Sequence, residues 1–526
     1  MVSTLAYRNC VAALLLLLVA LPSFAQSFRV QCPPTTTLHP TALAAGAGEP
    51  AFTGPSFTGS NSQPTGVTNG AIKCQQISGG DGYATMGDGT QTYLFAFGPL
   101  SGLADIRMGL PGTQFASVFN VVGTAADPNY NGAIGLVPDP DSTPPGQLTG
   151  HVDPRQVMDV GVMNGNMPAP TMAIDEDDEF FLTLTNVGMI MRPDLFEQHT
   201  VHFHGYPNAS SFYDGVPDAS VAINIGGSFT YYYLAPDAGT YFWHCHITPP
   251  EHLQMGMVGQ IFVRPRQNRV ASGGKLYDAL VLQQRDPRTA CGNDILCSTP
   301  LPPQNSVLHV NNKSGTPTLY AYNDGDGSTA YDVEYPVQIH GFDPNFHFVG
   351  MTFNPEPFTD LKDKYFLLNG RSYPDTVNTK IPGDTDSMQT PVADGTMHFS
   401  QPLPTMINIP AGGKALLRIS DLDVSEFQTL ASLGIPMHVI ALNARLLRDM
   451  SGNDMTYYTN SVTLGGGESM DVILDASDTT KYVPGQIFYL YTPNLDHLSN
   501  DAENFGGLMT EVHICHAVNV ATKSCS

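Results

Sequence analysis

Two short runs hold much of this chain's coordinating chemistry. "EQHTVHFHGYP", residues 197–207, carries His199, His202 and His204. "GTYFWHCHITPPEHLQMGMVG", residues 239–259, carries His244, Cys245, His246, His252 and Met257. Thiolate, imidazole and a weak thioether form a donor set suited to copper in electron transfer. Cys245, His252 and Met257 supply three such donors from one loop, and His199 is the candidate for the fourth.

Strand periodicity adds a second site. If "GTYFWHCH" is a strand end, alternation sends His244 and His246 to one face and Cys245 to the other. His202 and His204 share a side in the same way. Two neighbouring strands would then bring four imidazoles together, with His244-Cys245-His246 as a covalent bridge between two metal sites.

The elements needed to position these residues read as strands. From residue 157 onward "PTMAIDEDDEFFLTLTN", "TVHFHG", "SFTYYYLAP", "GTYFWHCH" and "GMVGQIFVRP" alternate and are separated by Gly and Pro, as in a small antiparallel sandwich. The basic stretch "RPRQNRVASGG" around 265–275 reads as a linker, and the acidic run "DEDDE" at 175–179 as a solvated turn. A second strand series spans 275–515, with a short helix expected near "DVSEFQTLASLG". Residues 26–150 contain one strand-pair candidate, "GTQTYLFAFGPL" with "SVFNVVGTA", and read as an N-terminal extension without assignable chemistry. The methionines of "MDVGVMNGNMPAPTM" read as packing.

The bulk numbers set limits. With 526 residues the chain can build several domains. Its 48 acidic and 23 basic residues give a formal charge of -25, which disfavours nucleic acid and anionic membranes as partners. Residues 1–25 have the positive end, apolar core and small-residue site of a signal peptide, so an exported protein, periplasmic or extracellular, is expected. No later run is long and apolar enough to span a bilayer. Beyond Cys10 seven cysteines remain. Cys245 is the odd one out, flanked by histidines. Proximity suggests the disulfides Cys32–Cys74, Cys291–Cys297 and Cys515–Cys525, although other pairings are open.

"HTVHFHG" and "HCHITPPEHLQMGM" resemble the copper motifs of the multicopper oxidases, the family of laccases and ferroxidases. "MNGNMPAPT" and "YDGVPDASVAINIGG" are similar to the same family's first cupredoxin domain. The resemblance implies an all-β fold of tandem cupredoxin-like Greek-key sandwiches, with a copper-binding domain at 151–268 and a second cupredoxin-like region at 275–515. It implies that His199, Cys245, His252 and Met257 hold a blue copper, that His202 belongs to a type 2 copper, and that His204, His244 and His246 belong to a type 3 pair. Cys245, His244 and His246 would carry the electrons. The implied partners are dioxygen and a small reducing substrate, a phenol or a metal ion.

The second half departs from the family pattern. The family's cluster uses four His-x-His pairs, and this chain's motifs supply two. In "YPVQIHGF" Tyr335 and Gln338 stand where histidines belong. His340, His347, His438 and His497 are the remaining candidates to complete the inner site. An incomplete or unusual inner copper site is therefore expected. A monomer is expected over the trimer of two-domain relatives, because a second copy would bring the same deficit. An electron-carrying copper protein and a copper nitrite reductase are the alternative functions.

Overall fold

The computed structural model describes residues 30–526 except 53–55, 59–62, 66–68, 124–126, 128, 139–151, 206–209, 236, 272–273, 284–317, 352–357, 378–388, 392–396, 400–402 and 450. The proposed signal segment and the Cys291–Cys297 pair lie outside the described residues. None of the described helices is long and apolar enough to cross a membrane.

The first sandwich is built from β1 (Ile72–Thr85), β2 (Gln91–Pro99), β3 (Met172–Asp175), β4 (Glu179–Gly188), β5 (His202–Phe203), β6 (Ser228–Leu234), β7 (Gly239–His244), the short helix α1 (Pro249–Gln254) and β8 (Val258–Arg264). One sheet runs β2-β1-β4-β6 and the other β3-β8-β7-β5. Aromatic and aliphatic side chains from both inner faces, among them Phe97, Tyr231, Tyr233, Trp243 and Ile261, fill the core. Such interdigitation between two faces is what lets a sandwich exclude water.

This arrangement changes three sequence-based expectations. β1 and β2 belong to the same sheet as β4, so residues 72–99 complete the first sandwich rather than standing apart from it. β2 pairs with β1 over nine residues, whereas the expected partner starts inside a short helix, Ala116–Phe119. The sandwich is also not wholly antiparallel. β1 runs parallel to β4 and β3 parallel to β8, pairings between segments about a hundred residues apart that local pattern cannot reveal.

The second sandwich contains β9 (Val333–Phe342), β10 (Tyr365–Leu368), β11 (Ile407–Pro410), β12 (Lys414–Asp421), β13 (Gln428–Leu433), β14 (Met437–Leu442), β15 (Ser461–Leu464), β16 (Ser469–Asp475), β17 (Ile487–Tyr491) and β18 (Met509–Cys515). Its larger sheet includes β14-β16-β12-β9-β10, and its smaller sheet runs β11-β18-β17-β13-β15. The stretch expected to be a short helix is β13, paired on both edges. Two flanking strands outweigh a weak local helix preference.

The halves pack sheet against sheet through a polar seam. Gln260 Nε2 donates to the Arg418 carbonyl and to Ser420 Oγ, each at 2.8 Å. Thr240 Oγ1 donates to Asp471 Oδ1 at 2.6 Å. Glu334 receives Arg264 from one half and Arg418 Nε, at 3.0 Å, from the other. Disulfides Cys32–Cys74 and Cys515–Cys525 form as proximity suggested.

The acidic run is not a solvated turn, and the basic stretch is not a linker. Asp175, Glu176, Asp177, Asp178 and Glu179 are all buried, as are Arg266, Gln267 and Arg269. The parallel register places Asp175 opposite Arg264, so both runs leave the same end of one sheet. There Arg266 grips Asp177 with Nε at 2.9 Å and Nη2 at 2.7 Å, and reaches Glu176 with Nη1 at 3.0 Å. Asp178 accepts the backbone N–H groups of Ala71 and Asp175. Each run supplies what the other needs to be buried.

Candidate metal centre

The first cluster forms where three loops meet at one end of the sandwich. The segment before β5 supplies His199, the end of β7 supplies Cys245, and α1 with the following turn supplies His252 and Met257. Cys245 is fully buried and unpaired. His252 Nδ1 lies 3.3 Å from its Sγ, and the Thr200 N–H points at the same sulfur from 3.4 Å. One ligand atom each from His199, Cys245 and His252 falls within 4.8 Å of the others. Met257 is held against Cys245 by the backbone, its carbonyl accepting the Cys245 N–H at 3.0 Å.

The electrostatics fit a cation. Burial alone would raise the Cys245 thiol, but His252 and His199 outweigh it and hold the thiol well below its usual range. Burial pulls His252 down, yet Cys245 and Glu197 lift it to about 9. Burial depresses His199. Both ring nitrogens of His199, and Nε2 of His252, are buried with no hydrogen-bond partner. Buried polar atoms without partners are rare and demand a reason. A soft metal ion beside the Cys245 thiolate would take one nitrogen from His199 and Nδ1 from His252, and copper suits a set of thiolate, imidazole and thioether.

The second cluster is all imidazole. β5 and β7 pair so that His202 stands opposite His244. The His202 ring lies 5.4 Å from those of His204 and His244 and 5.0 Å from that of His246. Ligand atoms of His202, His204 and His244 gather within 4.8 Å of one another. Carbonyls fix two of these rings. His202 Nδ1 donates to Asp214 O at 2.7 Å, and His244 Nδ1 donates to Cys245 O at 2.7 Å. That leaves each Nε2 free to ligate, which is how backbone acceptors orient metal-binding histidines. His204 Nε2 and His244 Nε2 are 2.9 Å apart. Two nitrogens at that spacing subtend roughly 90° at a metal about 2.0 Å from each. Burial, with neighbouring histidines, lowers His204 to about 4 and His244 to about 3, so both rings are neutral and able to ligate near neutral pH.

The four candidate histidines of the second half lie elsewhere, and among the described residues none joins a metal-capable group. His340 Nδ1 donates to Leu422 O at 3.1 Å. His347 sits between the carbonyls of Tyr93 and Gln254 and stacks on Phe342 at 3.7 Å. His438 meets Thr456 Oγ1 and stacks on Tyr458. His497 lies between Gln428 and Glu426 and stacks on Phe366 at 3.8 Å. What the second half presents to His204 and His244 is a cavity of about 370 Å³ walled by Asp423, Ser425, Glu426 and the glycines 465–467.

Sequence reasoning passed over two residues at the first cluster. Glu197 Oε2 lies 3.6 Å from His252 Nε2, and its place two residues before His199 was the available signal. Thr200 contacts both clusters, its N–H at Cys245 Sγ and its Oγ1 accepting the His246 N–H at 2.9 Å. No local pattern marks it.

Comparison with known proteins bears on this same region. Residues 148–268 match the family described as multicopper oxidase. Over 109 residues the chain is 34% identical to laccase abr2 of Aspergillus fumigatus, covering 20% of this chain and 17% of that one. Over 112 residues it is 33% identical to the multicopper oxidase MCE of Talaromyces pinophilus, covering 21% and 17%. The chain thus aligns with about a sixth of the length of these curated relatives. The crystal structure of the blue copper oxidase from Nitrosomonas europaea aligns with a TM-score of 0.47 at 17% identity, covering 84% of this chain and 86% of that one. Both clusters lie inside the segment that matches the multicopper oxidase family, so it is the donor-bearing region of the chain that is similar to these proteins.

Proposed function

We propose that the protein is a copper-dependent, laccase-like oxidoreductase that oxidises a phenol or a metal ion and passes the electrons to dioxygen. The observation carrying this reading is the pair of buried donor clusters joined by three consecutive residues, His244-Cys245-His246. His199, Cys245, His252 and Met257 would hold one copper. His202, His204, His244 and His246 would hold the inner metal. Bound copper supplies the one-electron chemistry, while the protein supplies donor type, orientation and exclusion of water. His202 and His244 have their Nδ1–H groups fixed on carbonyls, so ligation does not require the rings to reorient. Cys245 is fully buried in the core, so its thiolate is shielded from solvent oxidants. Its two flanking peptide bonds are the shortest covalent route between the clusters. The two disulfides support export to an oxidising compartment.

A second reading, an electron carrier, is favoured by one feature of the cavity. The wall that the second half places before His204 and His244 carries carboxylates, a serine and glycines in place of imidazoles. Copper content and oxygen uptake of the purified protein separate the two. Several coppers per chain with reductant-dependent oxygen consumption support the oxidase. A single blue copper without oxygen uptake refutes it in favour of the carrier. Nitric oxide formed from nitrite without oxygen uptake would instead identify a nitrite reductase.

A further inference from the structure

Gly79 lies in the middle of β1, between Phe97 of β2 and Asn186 of β4. Its backbone is not in the left-handed region, so the chain conformation there is open to any residue. Glycine in a strand interior is otherwise a cost, because it adds backbone entropy and packs nothing. The reason for it lies in front of the strand. A Cβ at Gly79 would stand 2.7 Å from His199 Cδ2, 3.3 Å from His199 Cγ and 3.2 Å from Met257 Cε. Only the two proposed metal ligands are among these neighbours.

We infer that Gly79 is a positioning residue of the first cluster: the bare backbone of β1 is the wall against which His199 and Met257 are set. This rests on the reading that His199, Cys245, His252 and Met257 hold copper. Met257 would be the weak thioether donor of such a set, and the closeness of that donor would tune the relative stability of copper's two oxidation states. A methyl group at position 79 must displace the His199 ring by about 0.7 Å to restore ordinary contact, and the ring is fully buried, with packed neighbours to move against. The Met257 methyl is the end of a flexible chain and gives more easily. The neighbouring Gly80 provides the control. A Cβ there meets Val187 Cγ2 at 2.7 Å and the Gly188 carbonyl at 2.8 Å, equal crowding on the same strand without a site contact.

The test compares Gly79→Ala and Gly80→Ala with the parent protein, full-length and copper-loaded. Expected for Gly79→Ala alone are an altered ratio of the thiolate-to-copper absorption bands and copper binding weaker by about tenfold, the lower end of what ligand-orienting residues contribute. Unchanged spectrum and affinity in Gly79→Ala, or the same change in Gly80→Ala, overturns the proposal. A metal-free structure of Gly79→Ala gives a readout that does not depend on the copper assignment. A displaced His199 ring supports the proposal, and an unmoved ring overturns it even if the parent protein proves not to hold blue copper. Should Gly79→Ala fail to fold, it is repeated on a His199→Ala background, where the closest contact is absent and only the flexible Met257 methyl remains. Recovery of folding supports the proposal, and failure in both backgrounds assigns Gly79 to the strand and sinks it.

Discussion

Replacing Arg266 by Ala removes the central cation of the buried acidic cluster. Arg266 is 3% exposed, and its partners Glu176 and Asp177 are 1% and 3% exposed, so surface-pair magnitudes do not apply. Three charge-assisted hydrogen bonds are lost, and two carboxylates remain buried without their main counter-ion. Breaking a buried pair from one side costs about 3–5 kcal/mol. Trp243 is the chain's single tryptophan and sits in the first core, so its fluorescence during urea unfolding reports that sandwich alone. The pH dependence can be worked out from Glu176. Burial raises its pKa and Arg266 lowers it, so the variant's pKa rises further. A carboxyl whose folded pKa is raised contributes stability that is present below its unfolded pKa and lost as pH rises through the folded value. The deficit of Arg266→Ala must therefore be larger at pH 8 than at pH 5. A loss below about 1 kcal/mol, the range of solvated pairs, or a deficit independent of pH, would refute the argument that this network is buried and mutually neutralising.

Other outcomes follow from the same structure. Cys245→Ser abolishes the intense blue absorption of the copper-loaded protein while Trp243 stays buried; persistence of the colour refutes the ligand assignment. Replacing Cys32 and Cys74 together, which releases a loop with a sequence separation of 42, costs about 4 kcal/mol in the chain-entropy account. The Trp243 transition should shift to lower urea accordingly, and an unmoved midpoint counts against the tie between the N-terminal segment and β1. Asp363 is held well above the usual carboxylate range by burial and by Asp423. The parent protein therefore loses stability as pH rises through that raised value. Asp363→Asn should gain on the parent between pH 5 and pH 9 in calorimetric unfolding, and a constant difference between the two would show that Asp363 is not shifted.

Part of the grouping of the candidate donors could be read from the sequence, because within each run their spacing is a local property. A two-residue period places His244 and Cys245 on opposite faces, which spacing alone carries; the return of His252 to the Cys245 sulfur depends on α1, where the sequence read only a loop. The all-β character of the chain was legible for the same reason, as alternation between turn residues. The rest depended on contacts between residues far apart in the chain. Nothing near "DEDDE" or "RPRQNR" announces burial; a parallel pairing of β3 with β8 brings the runs together, and only their mutual neutralisation permits it. "DVSEFQTLASLG" contains a strand because β15 and β17 flank it, not because of its own preferences. β1 joins the first sandwich across about a hundred residues, and with it comes Gly79, which has no side chain to mark its role. The sequence determined which donors could act together, because side-chain periodicity is a property of a single element. Only the tertiary structure decided what surrounds, neutralises and confines them, because a low-dielectric interior and a steric wall exist only where distant segments meet.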